Sequence, residues 1–223
     1  MERHLPGVAY ESERSYLRQR ALRHLRRVVD HETVFCVVHC PADDRLVSIC
    51  ILNNGELYRL YRDDQDDRRR RHPSIVKRDR ARLVLVRALY ESGSLNTAVD
   101  CYRAAMIAHH GEGNDDLRLA FDLALSSMEL HYRPARWLTA AITDRSLFAL
   151  GRPQRFGTQC IRWIVDAQLY LIEMDGSVDD TMRTAMDVPP LGDLLSAVEG
   201  RMLPISLALE SAARTRSEKC KRV

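Results

Sequence analysis

Lysine is nearly absent from this chain. Only Lys77, Lys219 and Lys221 occur among 223 residues, so the basic charge is almost all arginine. Cysteine is present but never as Cys-x-x-Cys, and the spacings of Cys36, Cys40, Cys50, Cys101, Cys160 and Cys220 give no zinc framework. Cys36, Cys40 and Cys50 lie in apolar, strand-like runs and read as small buried hydrophobes. No apolar run approaches the roughly 20 residues of a membrane span. The opening Met-Glu-Arg-His-Leu-Pro-Gly lacks the basic-then-apolar build of a secretory signal, so the chain is expected in the cytoplasm, away from membranes. Glycine-rich dinucleotide fingerprints, haem motifs, serine elbows and Cys-His pairs are also missing, which leaves redox chemistry and nucleophilic catalysis without support.

A soluble globular composition remains, 45% hydrophobic and 29% charged, with a net charge of only +3. Two arginine-rich stretches exist, Arg18–Arg27 and Arg68–Arg71. The first is the polar face of an amphipathic segment, and the second follows Asp63, Asp64, Asp66 and Asp67. Both read as solvated faces, and a nucleic-acid partner is not favoured.

Residues 11–30 carry Leu17, Leu22, Leu25, Val28 and Val29 near helical spacing, which predicts an amphipathic helix. Two β-branched runs, Thr33–His39 and Arg45–Leu52, predict a hairpin. Five helices follow: Glu56 to about Arg70; Ile75–Ser92, with Ser74 as N-cap and Gly93 closing it; a third capped by Ser94 and running to His110; Asp115–Leu130, capped by Asn114; and Pro134 to about Leu150. Cys160–Val165 and Gln168–Glu173 predict a second hairpin, followed by short helices from about Val178 and Leu191 and a last helix over Ile205–Ala213 with a frayed tail. The fold class is therefore mainly α, a compact antiparallel helical array with two short β-hairpins. Its expected divisions are 1–54, an N-terminal appendage; 55–200, the helical domain; and 201–223, a C-terminal helix and tail.

Helical wheels put ionisable residues on apolar faces. Asp64 and Arg68 continue the Leu57–Leu60–Tyr61 stripe, with Gln65 beside it. Asp79 and Arg82 lie within the Val76–Leu83–Val86 face, and Arg103 and His110 within the Val99–Tyr102–Met106 face. Asp144 and Arg145 flank the Trp137–Ala141–Phe148 line. Buried charges cost several kcal/mol each unless paired, so these must meet one another. One reading is a structural ion-pair network. The other is a polar pocket between helices in which the arginines would bind an anionic small molecule. There His110 is the acid/base candidate, oriented by Asp144 or Asp64, with no metal and no organic cofactor. His109 reads as solvent-facing. The turn Gln154-Arg-Phe-Gly-Thr-Gln159 would either satisfy itself or let Gln154, Thr158 and Gln159 reach the cluster.

Several pieces recur as a pattern: Asp64-Gln65-x-x-Arg68, Asp79-x-x-Arg82, Asp100-x-Tyr-x-Ala-Ala-Met-Ile-x-His-His110-Gly111, Asp144-Arg145, Gln154-x-Phe-Gly157-Thr158-Gln159 and Asp180-x-x-Arg183 before Val188-Pro-Pro-Leu191. From about Leu57 to Leu191 this resembles an uncharacterised bacterial domain family, common in actinobacteria and named only as a domain of unknown function. The family usually has Gln where His109 stands and Gly where Asp187 stands. The resemblance implies a fold region and a set of inward positions, not an activity. An acid/base enzyme acting on an anionic small molecule is the first functional expectation. A binding or adaptor module with a protein partner, its Asp/Arg network structural, is the alternative.

Overall fold

The structure is a computed structural model that describes the backbone of residues 29–30, 33–40 and 45–220, and the side chains from residue 53 onward to 215, with 217. The predicted helix over residues 11–30 falls mostly outside the described residues. Its last two residues do not: Val29–Asp30 is strand β1, paired antiparallel with the start of β2 (Thr33–Cys40). Strand β3 (Arg45–Leu52) completes this sheet in the order β1-β2-β3. The side chains of Cys36, Cys40 and Cys50 lie outside the described residues.

The helical body is made of α1 (Gly55–Arg69), α2 (Ile75–Glu91), α3 (Ala98–Ala108), α4 (Asn114–Glu129) and α5 (Pro134–Ala149). Helix α3 is central and packs against the other four. Its buried face is small, with Ala104, Ala105 and Ala108 beside Ile107, and facing it are Ala120, Leu123 and Ala124 of α4. Alanine faces let backbones approach closely, which is how one short helix can meet four neighbours. Ser127, near the end of α4, donates to the Ala98 carbonyl at the start of α3, so the two run antiparallel. Burying about a dozen such side chains is the main stabilising force of this half.

Helix ends follow local chemistry. Asn54 caps α1 by accepting from Leu57 N. Ser74 sits before α2 without a side-chain cap bond, and Gly93, at φ 65°, closes α2 as expected. The third helix begins later than its predicted Ser94 cap. Ser94 N is already used by Leu89 O in the turn that ends α2, and Thr97 caps α3 instead. Thr97 accepts from Asp100 N, while Asp100 accepts from the Thr97 backbone in return. Gly113, not Asn114, occupies the cap of α4, with Asp116 accepting its N–H.

After α5 the chain forms β4 (Cys160–Arg162), β5 (Leu169–Ile172), α6 (Asp180–Ala185), α7 (Leu191–Ala197), β6 (Met202–Leu203) and α8 (Ile205–Cys220). The predicted second hairpin is part of a three-stranded mixed sheet. β4 and β5 are antiparallel, and β6 adds parallel to β5. Leu203 and Ala208 share a core with Ile172, so residues past 200 pack with this sheet. Helix α8 also runs further than the predicted stop at Ala213. The molecule is mainly α with a minor β component. Among the described residues no helix is long and apolar enough to cross a membrane.

Candidate functional site

Two polar clusters exist where the sequence suggested one interior. The first joins the end of α1, the start of α2 and the end of α3. Asp64 is fully buried, and Asp67, one helical turn on, is almost so. Arg82 reaches across from α2. Its Nη1 donates to Asp67 at 2.6 Å, its Nη2 to Asp79 at 2.6 Å, and its Nε stands 3.7 Å from Asp64 Oδ1. Arg78 adds a second 2.6 Å bond to Asp67. Burial pushes the Asp67 carboxyl up, but the hydrogen bonds from Arg82 and Arg78 outweigh it and hold the group below the usual carboxylate range. Arg68 places Nη2 3.1 Å from both Asp64 and Asp79. Gln65 donates to Asp64 Oδ2 at 2.8 Å. Charges therefore balance, with Asp64, Asp67 and Asp79 against Arg68, Arg78 and Arg82.

His110 closes this cluster. Its Nδ1 lies 3.3 Å from Asp64 Oδ1. Arg68 Nε is 3.0 Å from one ring nitrogen and 2.9 Å from the other. A donor in the ring plane equally far from both would overlap Cε1, so the guanidinium lies over the imidazole face. Burial lowers the His110 pKa below its usual 6.5, although Asp64 pulls the other way. Neutral imidazole is thus the form present at neutral pH. Asp64 Oδ1 and Arg82 Nε are both buried with no aligned hydrogen bond, so the ion contacts of Asp64 are electrostatic rather than directional.

His110 and Asp79 also line a cleft of about 100 Å³, walled further by Val76, Leu83, Arg80, Gly111, Glu112 and Asp116. That is well below the roughly 300–1,000 Å³ of sites for drug-sized ligands. Arg80 at its rim is paired with Glu112 at 2.7 Å.

The second cluster is built on Asp144, which does not orient His110. Its fully buried carboxylate accepts from Arg155 N (2.8 Å), Phe156 N (3.0 Å), Thr158 N (2.9 Å) and Thr158 Oγ1 (2.7 Å). Four donors fill its acceptor positions, so it anchors the Gly-Thr-Gln turn to α5. Gln154, also fully buried, gives Nε2 to Gln159 O and Ile172 O and receives Gln159 N. Gln159 Nε2 binds Ala141 O and Thr158 Oγ1. Gly157 has φ 88°, and a Cβ there would come within 2.7 Å of Leu194. Gln154, Thr158 and Gln159 thus hold their own turn and do not join the first cluster.

Three further expectations change. Arg103 stacks over the Tyr58 ring, 4.7 Å from its centroid, instead of joining the aspartates. Arg145 donates to Gly111 O at 3.2 Å, at the carbonyl end of α3. His109 is not solvent-facing. It is largely buried with its Nδ1 unpartnered, and burial first, then the charges of Arg145, His110 and Arg68, push its pKa down to about 3.

Sequence reasoning missed Asp67, Arg78 and Arg183. Asp67 is three residues after Asp64 and so on the same face, but it sat in an acidic run read as solvated. Arg183, almost fully buried, donates to Phe156 O at 3.2 Å and so ties α6 to the same turn that Asp144 holds. Only the family pattern pointed to it. Among the described residues no group of three or more His, Cys, Asp or Glu is placed to hold a metal ion. Compared with known proteins, the chain matches no family model, no curated protein and no solved structure.

Proposed function

We propose that this chain is a small-molecule enzyme that works by acid/base chemistry at His110, without a metal. One observation carries the reading. A neutral imidazole, backed by a fully buried carboxylate at 3.3 Å, opens onto a cleft. The Asp64 charge, 3.3 Å from Nδ1, would draw the ring proton to that nitrogen and leave Nε2 as the proton acceptor, and Arg68 would hold the ring from its face. Asp144 takes no part. An anionic substrate would have to displace Glu112 from the exposed Arg80 at the rim, because Arg68 and Arg82 are held by buried aspartates. The pattern shared with the actinobacterial domain-of-unknown-function family belongs to the same proposal. Asp187, where that family has Gly, has φ 54°, a backbone region that favours glycine. A cytoplasmic location is part of it too.

The charge balance of the cluster favours a second reading, a non-catalytic binding module in which Asp64, Asp67, Asp79, Arg68 and Arg82 only fix helix register. A panel of small phosphate and carboxylate esters separates the two. His110→Gln keeps a donor for Asp64, so the enzyme reading expects turnover to vanish with the melting temperature unchanged. It also expects the wild-type rate to rise with pH through a pKa below 6.5. Wild-type turnover in His110→Gln, or no turnover by the wild type with a several-degree loss of melting temperature in the variant, defeats it.

A further inference from the structure

Helix α2 buries one side, through Arg82 and Val86, and leaves a second apolar stripe in solvent. At about 100° per residue, Ala81, Val84, Leu85 and Ala88 fall on one face, roughly opposite the buried one. All four are exposed, Val84 at 66% and Leu85 at 42%. Spacing of i, i+3, i+4 and i+7 is that of a helix-packing seam, yet no described element covers it.

The stripe has an internal symmetry. Its midpoint lies between Val84 and Leu85, with one alanine equally far on either side. A two-fold axis at that midpoint sets a second α2 antiparallel to the first. Val84 then meets Val84, Leu85 meets Leu85, and each Ala81 meets the Ala88 of the other copy. The alanines at the outer positions let the two backbones approach. The same operation brings Lys77 of one copy beside Glu91 of the other, on the Val84 side of the seam. Both are exposed, and neither has an ion-pair partner among the described residues. Within one chain they stand at opposite ends of the helix, too far apart to pair. Antiparallel helix dipoles favour the arrangement as well.

We infer that this face of α2 is a self-complementary interface that takes a second copy of the chain. It is an isologous contact, in which one patch meets itself. A helix of 17 residues spans about 26 Å, so the contact lies at the small end of specific interfaces and the dimer is reversible.

Sedimentation of the full chain tests this directly. The wild type should reach twice the chain mass of 25.6 kDa as concentration rises toward about 1 mM. Val84→Asp should remain at 25.6 kDa with an unchanged circular dichroism spectrum. Lys77→Glu and Glu91→Lys should each weaken the dimer at least several-fold, and together they should restore it, because the swapped charges still meet across the axis. A wild type that stays monomeric, a dimer that survives Val84→Asp, or a double swap without rescue overturns the inference. So does a monomer whose melting temperature falls in Val84→Asp, since another part of the same chain would then cover the face.

Discussion

Among the described residues His109 carries the clearest pH signature. Its pKa is pushed down to about 3 from 6.5, first by burial and then by Arg145, His110 and Arg68. The folded state therefore binds fewer protons than the unfolded chain between those values, and stability rises with pH across that window. At pH 7 the contribution is complete, and it is lost progressively as pH falls below about 6.5. Because some of the ring remains in reach of solvent, the loss by pH 4 should be roughly 2–3 kcal/mol. His109→Gln removes the titrating group, so urea unfolding of the variant should be flatter from pH 6.5 to 4 than in the wild type. An equally steep acid limb in both would place the dependence elsewhere, His110 first. The sequence showed two adjacent histidines at a helix end. A wheel assigns them to opposite edges, but the side that receives a neighbour is set by α5, whose Arg145 comes to Gly111 O.

Helix ends decide where the first cluster stands. Gly111 lies between His110 and α4, and a Cβ there would meet Asp116 Cβ at 2.3 Å. Asp116 is also tied down, accepting from Gly113 N and pairing with Arg87. Gly111→Ala must therefore push the start of α4 away from α3, at a cost of about 2 kcal/mol or more in chemical denaturation. Asp116→Gly removes the Cβ that would be struck and should relieve much of it in the double variant. A loss under about 0.5 kcal/mol for Gly111→Ala alone would mean that the two helix ends yield freely. Element types were legible from the sequence because the apolar periods are long and glycine or proline punctuates them. The start of α3 was misplaced because Ser94, Asn96 and Thr97 all have capping chemistry. Only the packing decided among them, since Ser94 N bonds to Leu89 O and Asn54 N reaches Asp100 at 2.8 Å.

Among the described residues the two polar clusters share no hydrogen-bonding side chain. Arg82→Leu leaves Asp67 with Arg78 alone and Asp79 with Arg68 alone, and should cost about 3 kcal/mol. Asp144→Ala leaves three backbone N–H groups and the Thr158 hydroxyl without their acceptor and should cost about 3 kcal/mol. If the clusters are independent, the double variant loses the sum to within about 0.5 kcal/mol, read by urea unfolding at pH 7. A larger departure would show that α5 couples them through Arg145 and Gly111. By itself the sequence determined the mainly helical class, the inward position of Asp64, Arg68, Asp79, Arg82, His110 and Asp144, and the need for these charges to be paired. Those follow from periodicity and from the cost of burying a lone charge. Only the tertiary structure decided who pairs with whom. Asp144 and Asp64 look alike on a wheel, but one faces a turn rich in backbone donors and the other faces guanidinium groups and an imidazole. Residues at equal angles on separate helices share a site only if those helices meet at that height, and helix axes are set by packing that no single wheel contains.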